Sequence, residues 1–342
     1  MDESLSDGRG GCGAAQEPAV VLATGVPRSG TTMLGELAVR YLHVAAINEG
    51  DFEIWLMNQA PSPATPLSND RLDEVIQGLV SHPFFEIVFD GVLSGGRERP
   101  SNDEIVAGLR RRLPEATTSG IARATLWIAA DHLGCPLAGH EDPHMHAVLA
   151  DVLAFYPGAR LIHIVRDPRD VACSVLRFPW GANSAVIAAR DWERDVRRAR
   201  AIGASMGDRY IEVRYEDLLQ QPDTTMRRLM AFVGNVREHA VAHYVRETAR
   251  NPRRDNFGNW RRDLSAQQLA GVESIAHDLM TELGYAPDLP RSRRSRWRES
   301  LWQLHHRLIQ VGQILSGRLQ SNGKARFIKN PERSPSEREL VE

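Results

Sequence analysis

Lysine is all but missing. The chain of 342 residues carries it only at Lys324 and Lys329, both near the C-terminal end. Upstream of that end no residue can act as a phosphate-loop lysine or a Schiff-base lysine. Every fixed positive charge there is an arginine, which can clamp an anion but does not titrate into a general base. Cysteine is scarce as well. Cys12, Cys135 and Cys173 are odd in number and show no metal spacing, which argues against a disulfide framework and suggests reduced thiols in a cytoplasmic setting. No apolar run approaches the ~18–20 residues of a membrane span. Residues 1–17 are rich in Gly, Ser and Asp and lack the apolar stretch of a signal peptide, so they are expected to be disordered. A net charge of −2 excludes a molecule that binds nucleic acid by bulk electrostatics.

Against these absences stands one dense segment, from Val20 to Leu37. Val20–Thr24 reads as a buried strand, Gly25–Gly30 as a glycine-containing turn, and Thr31 onward as a helix with Leu34, Leu37, Ala38 and Tyr41 on one face. Gly25 and Gly30 take the two glycine positions of the GxxxxGK[ST] phosphate loop and Thr32 its final hydroxyl, while Thr31 stands where the lysine belongs. Arg28 is the one cation inside the loop. The segment therefore predicts a phosphate cradle of backbone N–H groups at a helix start, without the lysine of an ATPase or GTPase.

Further along, His43–Ile47 predicts a second strand ending at Asn48-Glu49-Gly50, and residues 71–133 read as interrupted helices. Arg160–Val165 is a β-branched run read as a buried parallel strand. Arg166-Asp167-Pro168 turns it into a helix that Pro168 suits at its first turn. An Arg-rich amphipathic helix over 183–205, a strand at Tyr210–Tyr215 and a late helix that starts over Asp263-Leu264-Ser265-Ala266 and ends near Gly284 follow. Strands alternating with helices predict an α/β fold: a parallel sheet flanked by helices around a P-loop-like nucleotide-binding core. The expected divisions are 1–17, a domain over 18–285 with a helical cap at about 51–133, and a basic tail over 286–342. That tail spaces Leu301, Leu304, Leu308, Val311 and Leu315 as one apolar stripe, suited to self-association or, with Trp297 and Trp302 beside it, to a membrane surface.

Three segments fall in order on these elements: Pro27-Arg28-Ser29-Gly30-Thr31-Thr32, then Ile164-Val165-Arg166-Asp167-Pro168-Arg169-Asp170 running to Ser174, then Val213-Arg214-Tyr215-Glu216-Asp217-Leu218. Together they resemble the sulfotransferases that use 3′-phosphoadenosine 5′-phosphosulfate (PAPS), over about residues 19–285, with the loop wording similar to the tyrosylprotein and bacterial branches. The resemblance implies PAPS as donor, a hydroxyl-bearing acceptor (carbohydrate, lipid, peptide tyrosine or small molecule), no metal and no nucleic acid. It places Arg28, Ser29, Gly30, Thr31 and Thr32 on the 5′ end of the donor, Arg166 and Ser174 on the 3′-phosphate, and Tyr215 near the nucleotide. Phe257-Gly258-Asn259-Trp260 resembles a Gly-x-Trp element, with Arg253 and Arg254 before it at the spacing of further 3′-phosphate contacts. Asp255 stands where a glycine is usual.

The general base has to be a carboxylate or imidazole within reach of the donor sulfur. Glu49 has the spacing from Arg28 that the tyrosylprotein branch gives its catalytic glutamate; Asp51 and Glu53 are alternatives. Relatives carry a Lys-x-Pro element where this chain has Glu141-Asp142-Pro143. Glu141 replaces the lysine, so His140, His144 or Arg28 would have to supply its charge. A phosphate-loop kinase and a non-catalytic nucleotide-binding protein are the competing readings. The first normally needs the absent lysine, and the second is prompted by Glu141.

Overall fold

A computed structural model describes residues 18–48, 52–82, 99–143, 145–177, 184–251 and 256–290. The N-terminal stretch, most of the tail with its apolar stripe, and Glu49, His144, Arg253 and Arg254 lie outside the described residues. The chain divides into a first unit ending at Leu289 and a second from Pro290. The following concerns the first unit.

Five short strands form one sheet: β1 (Val20–Thr24), β2 (Val44–Asn48), β3 (Leu137–Glu141), β4 (Arg160–Val165) and β5 (Tyr210–Arg214). They lie in the order β2-β3-β1-β4-β5, and every pairing is parallel. β1 is central and buried along its whole length, as its unbroken apolar run demands. The order reverses beside β1, so the crevice beyond the carboxyl ends of β1 and its neighbours is where an open α/β sheet takes its ligand.

The helices are α1 (Thr31–Leu37, continued by one π turn, Ala38–Leu42), α2 (Phe52–Met57), α3 (Asn69–Val80), α4 (Asn102–Arg112), α5 (Thr118–Leu133), α6 (Leu149–Leu153), α7 (Pro168–Val175), α8 (Ala185–Met206), α9 (Tyr215–Gln220), α10 (Pro222–Val233), α11 (Glu238–Arg250), α12 (Trp260–Asp263) and α13 (Ala266–Glu282). Strand alternation sorts the core into two faces. Leu22, Ala45, Ile47 and Leu161 pack with α2–α5 and the end of α8. Val21, Ala23, Val44, Ile162 and Ile164 pack with α1, α10 and α11. The segment read as a cap thus joins the sheet core, with α5 lying on β2 and β3. Thr117 starts α5 by accepting the Gly120 N–H at 2.9 Å, and Gly134, at φ 67°, ends it.

β3 is the strand that the sequence pattern did not announce. Its centre is Gly139-His140-Glu141, with His140 and Glu141 both buried. Gly139 is forced by the sheet itself: a Cβ there would lie 2.5 Å from Val44 Cγ1 and 2.7 Å from the Val21 carbonyl oxygen.

Candidate active site

The turn between β1 and α1 is closed by the Ser29 N–H donating to the Val26 carbonyl at 3.0 Å. That N–H, expected to face a phosphate, is spent inside the turn. The free donors of the helix start are those of the first turn of α1, Thr31 to Met33, which have no intrahelical acceptor. Two residues adopt left-handed backbone, Gly30 at φ 97° and Arg28 at φ 74°. Glycine takes this region freely and arginine does not, so the loop holds Arg28 under strain. At Gly30 a Cβ would meet Tyr215 Cδ2 at 2.4 Å, so the glycine also lets the Tyr215 ring lie against the loop.

Three of the elements singled out by sequence meet here. Arg28 Nε donates to Ser174 Oγ, in the last turn of α7, at 2.9 Å. Arg166, at the end of β4, donates to the Arg28 carbonyl at 3.2 Å and to the Asn256 carbonyl at 2.7 Å. The Arg166 guanidinium lies 4.4 Å from the centre of the Tyr215 ring, and the Tyr215 hydroxyl accepts from Asn256 Nδ2 at 3.3 Å. The loop, the β4–α7 turn and the start of α9 thus share one cleft. Thr31 is buried and Thr32 exposed at its edge.

A surface salt bridge from Arg166 to Asp167 or Asp170 is not what forms. Asp167 is taken by Arg169 Nη2 at 2.7 Å. Asp170 accepts the Gly258 N–H at 2.6 Å and the Trp260 N–H at 3.1 Å, which pins the Gly-Asn-Trp turn to α7. Burial pushes the Asp170 carboxyl upward, against the pull of those two N–H groups and of Arg166. Among the described residues Arg166 has no carboxylate within salt-bridge distance, and its Nε and the Ser29 hydroxyl are buried without a hydrogen-bond partner. Buried polar groups are rarely left so.

A sequence model described as "Sulfotransferase family" matches residues 18–238, which covers well over half of the chain and all of the cleft except the Asn256 turn. The chain belongs to the sulfotransferase family. Mouse carbohydrate sulfotransferase 7 is 30% identical over 124 residues, 32% of this chain and 25% of that protein. The match thus spans about a quarter of that relative's length. Among solved structures, the sulfotransferase domain of the Synechococcus PCC 7002 olefin synthase is 20% identical, covering 81% of this chain and 98% of that one with a TM-score of 0.48. The sulfotransferase domain from the curacin biosynthetic pathway is 15% identical, covering 84% and 98% with a TM-score of 0.45.

His140, one of the residues offered in place of the family lysine, faces away from α1. Its side chain lies on the sheet face of Ala138, 5.0 Å from the Phe52 ring. There Nδ1 is 2.8 Å from Glu53 Oε1, which also accepts the Tyr156 hydroxyl at 2.7 Å. All three side chains are buried. Glu53, an alternative for the base, is therefore committed to a buried network. Burial lowers the His140 pKa, but the attraction and hydrogen bond of Glu53, with Asp142 and Glu141, outweigh it, and the net shift is upward. The sequence resemblance singled out Arg28, Arg166, Ser174 and Tyr215, which the fold brings into one cleft. It did not find Asn256, whose backbone carbonyl holds Arg166, because a carbonyl carries no residue-type signal.

Among the described residues no three His, Cys, Asp or Glu side chains are grouped to hold a metal, and no helix is long and apolar enough to cross a membrane. Cys135 and Cys173 are free thiols, and burial pushes Cys173 up to about 11.

Proposed function

We propose that this chain transfers the sulfuryl group of PAPS to a hydroxyl acceptor. The observation that carries the reading is the buried Arg166 guanidinium, which has no salt-bridge partner among the described residues and is hydrogen-bonded to the backbone of a lysine-free phosphate loop. PAPS is a bis-anion, with a phosphosulfate at the 5′ end and a separate phosphate at the 3′ end, so it needs two linked anion sites. The first turn of α1, the Thr31 and Thr32 hydroxyls, the Ser29 hydroxyl and Arg28 suit the 5′ end. Arg166 and Ser174, with Arg253 and Arg254, suit the 3′-phosphate, where an arginine fork matches phosphate oxygens two at a time. A groove of about 290 Å³ runs from Met33 along α1 to Asn251 at the end of α11.

In the reaction the acceptor oxygen attacks sulfur in line as the bond from sulfur to the bridging oxygen breaks. The acceptor proton passes to Glu49, and negative charge grows on the departing nucleotide. Positioning and charge neutralisation supply most of the rate. Arg28, strained and exposed at the loop, neutralises the bridging oxygen in the absence of a lysine, with the helix-start N–H groups beside it. Arginine usage in place of lysine and the free thiols support a cytoplasmic enzyme of a GC-rich bacterium. The basic tail suits self-association or a membrane surface.

Calorimetric titration with the product 3′,5′-bisphosphate nucleotide (PAP), set against ATP with Mg²⁺, tests the donor. A preference for the triphosphate would sink the reading. Incubation with labelled PAPS and mixed carbohydrate, lipid, peptide and small-alcohol acceptors, read by mass spectrometry for an added SO₃, tests the transfer. PAP binding with no SO₃ on any acceptor would favour a non-catalytic binder.

A further inference from the structure

The turn before α12 carries a side chain that no sequence signal marked. Asn256 is exposed at the rim of the cleft, and three of its polar atoms are engaged. Its carbonyl accepts from Arg166 Nη2 at 2.7 Å. Its Nδ2 donates to the Tyr215 hydroxyl at 3.3 Å. Its Oδ1 accepts from Asn259 Nδ2 at 3.0 Å. The last bond orients the amide: with its oxygen turned to Asn259, its nitrogen faces the tyrosine. The turn is itself fixed from behind. Asp170 accepts the N–H groups of Gly258 and Trp260 at 2.6 and 3.1 Å. The guanidinium groups of Arg169 and Arg261 lie 3.9 and 4.3 Å from the centre of the Trp260 ring. Asp170 stands four residues after Arg166, so the turn is tied to the segment that bears the arginine.

A count of hydrogens shows what Asn256 leaves available. An amide nitrogen only donates, so at this contact the Tyr215 hydroxyl accepts, and its own hydrogen is left for another partner. Tyr215 is buried, and among the described residues no acceptor is hydrogen-bonded to that hydrogen. Arg166 has five N–H bonds. Nη1 gives one to the Arg28 carbonyl and Nη2 gives one to the Asn256 carbonyl. With the Tyr215 ring 4.4 Å from the guanidinium carbon, these contacts fix its plane, and Nε keeps a buried hydrogen without an acceptor. Buried polar groups are rarely left unsatisfied. Asn256 touches both residues that have hydrogen to spare, one through its backbone and the other through its side chain.

We propose that Asn256 is a positioning residue for the 3′-phosphate of the donor. Its carbonyl aims Arg166, and its amide leaves the Tyr215 O–H free to donate, so that both groups present hydrogen to one phosphate. The inference rests on the PAPS reading and adds to it a residue whose chemistry matters at a defined place. An amide suits that place and a carboxylate does not. In Asn256→Asp the new carboxylate would capture the Tyr215 hydrogen and set a negative charge beside the phosphate.

Calorimetric titration of the full chain with PAP, set against adenosine 5′-monophosphate (AMP), which lacks the 3′-phosphate, tests this. Wild type should favour PAP. In Asn256→Asp the PAP affinity should fall about a hundredfold, with AMP affinity within about twofold of wild type. In Asn256→Ala the PAP affinity should fall about tenfold. Tyr215→Phe removes the hydroxyl that the amide addresses, so in that background the loss from Asn256→Ala should shrink to about threefold or less. A merely structural role would lower PAP and AMP affinity alike. An unchanged ratio of the two affinities in Asn256→Asp overturns the proposal, and so does a loss in Asn256→Ala that is the same with and without the Tyr215 hydroxyl. Wild type binding PAP no better than AMP would instead overturn the PAPS reading. The contact between Asn256 and Tyr215 is then decided by the melting temperatures of the ligand-free single and double variants: non-additive changes support it and additive ones overturn it. If Asn256→Asp does not fold, Asn256→Ala and Tyr215→Phe decide.

Discussion

Arg166 and Arg169 stand three residues apart in one turn and share much. Both are buried, and both lie over an aromatic ring, Tyr215 at 4.4 Å and Trp260 at 3.9 Å. They differ in what answers their charge. Arg169 is clasped by Asp167 and Glu273, each at 2.7 Å. Arg166 meets two carbonyl oxygens and, among the described residues, no carboxylate within salt-bridge distance. A buried charge is costly unless it is paired. Arg169 is paired, so it belongs to the architecture: it ties α7 to α13. Arg166 has no such partner among the described residues, which is why it is proposed to meet the donor. The contrast sets an arginine that ties the fold together beside one proposed to bind, although the sequence Arg-Asp-Pro-Arg-Asp presents the two alike.

Substitution of each arginine by a shape-matched neutral residue tests the contrast most severely. Arg169→Met strands Asp167 and Glu273 in the core, and chemical denaturation should show a loss of ~3–5 kcal/mol. Arg166→Met breaks no salt bridge among the described residues, although the buried Asp170 carboxyl loses the attraction of the guanidinium. Its stability should stay within ~1 kcal/mol of wild type, while calorimetry should show PAP binding weakened by ~2–3 kcal/mol, the scale of charge-assisted hydrogen bonds. A ligand added at ~100 times its Kd stabilises a protein by ~2.7 kcal/mol, so PAP should raise the wild-type melting temperature and barely move that of Arg166→Met. Exchanged outcomes, with Arg166→Met unfolding and Arg169→Met only losing PAP, would break the distinction. Gly30→Ala probes what supports the binding arginine. The new methyl meets the Tyr215 ring at a backbone angle that alanine resists, at a cost of ~1–3 kcal/mol. Because that ring underlies Arg166, PAP affinity should fall with stability, and Tyr215→Leu in the same chain should recover part of the stability but not the affinity.

Much of this was legible in the sequence because the signals were local. β1 and β4 are runs of Val, Ile and Leu that can only be buried strands, and both form where the pattern puts them. Gly30 and Thr32, counted from Gly25, marked the loop, and Pro168 marked the first turn of α7. The late helix also begins as read, with Ser265 and Gln268 closing a capping box. What stayed hidden is long-range. β3 breaks the apolar rule because its polar side chains, His140 and Glu141, are buried by partners from other elements. The α11 helix was not anticipated, and its Tyr244 finds its acceptor only in the fold, the Leu218 carbonyl, at 3.1 Å. Arg166 and Arg169 could not be told apart because the carboxylate that separates them most, Glu273, lies 104 residues away from Arg169. Spacing proposed His140 for a role at the donor, and strand alternation turned it to the other face.

His140 extends the comparison to a titrating group, with the smallest expected effect. Like Arg169 it is buried against a carboxylate, Glu53, and its pKa is raised in the fold. The folded state therefore holds the His140 proton more tightly than the unfolded chain does. The stabilisation is fully present below the unfolded value, about 6.5, and is lost as pH rises through the folded one. Equilibrium denaturation from about pH 6 upward should show stability declining as pH rises. In His140→Gln, whose amide can still donate to Glu53, that slope should flatten. PAP affinity measured at a single pH should hardly change, because this pair lies on the face of the sheet opposite α1. A steep loss of PAP binding in His140→Gln, with stability intact, would instead assign the buried pair to the donor site and join the two faces that the sheet keeps apart.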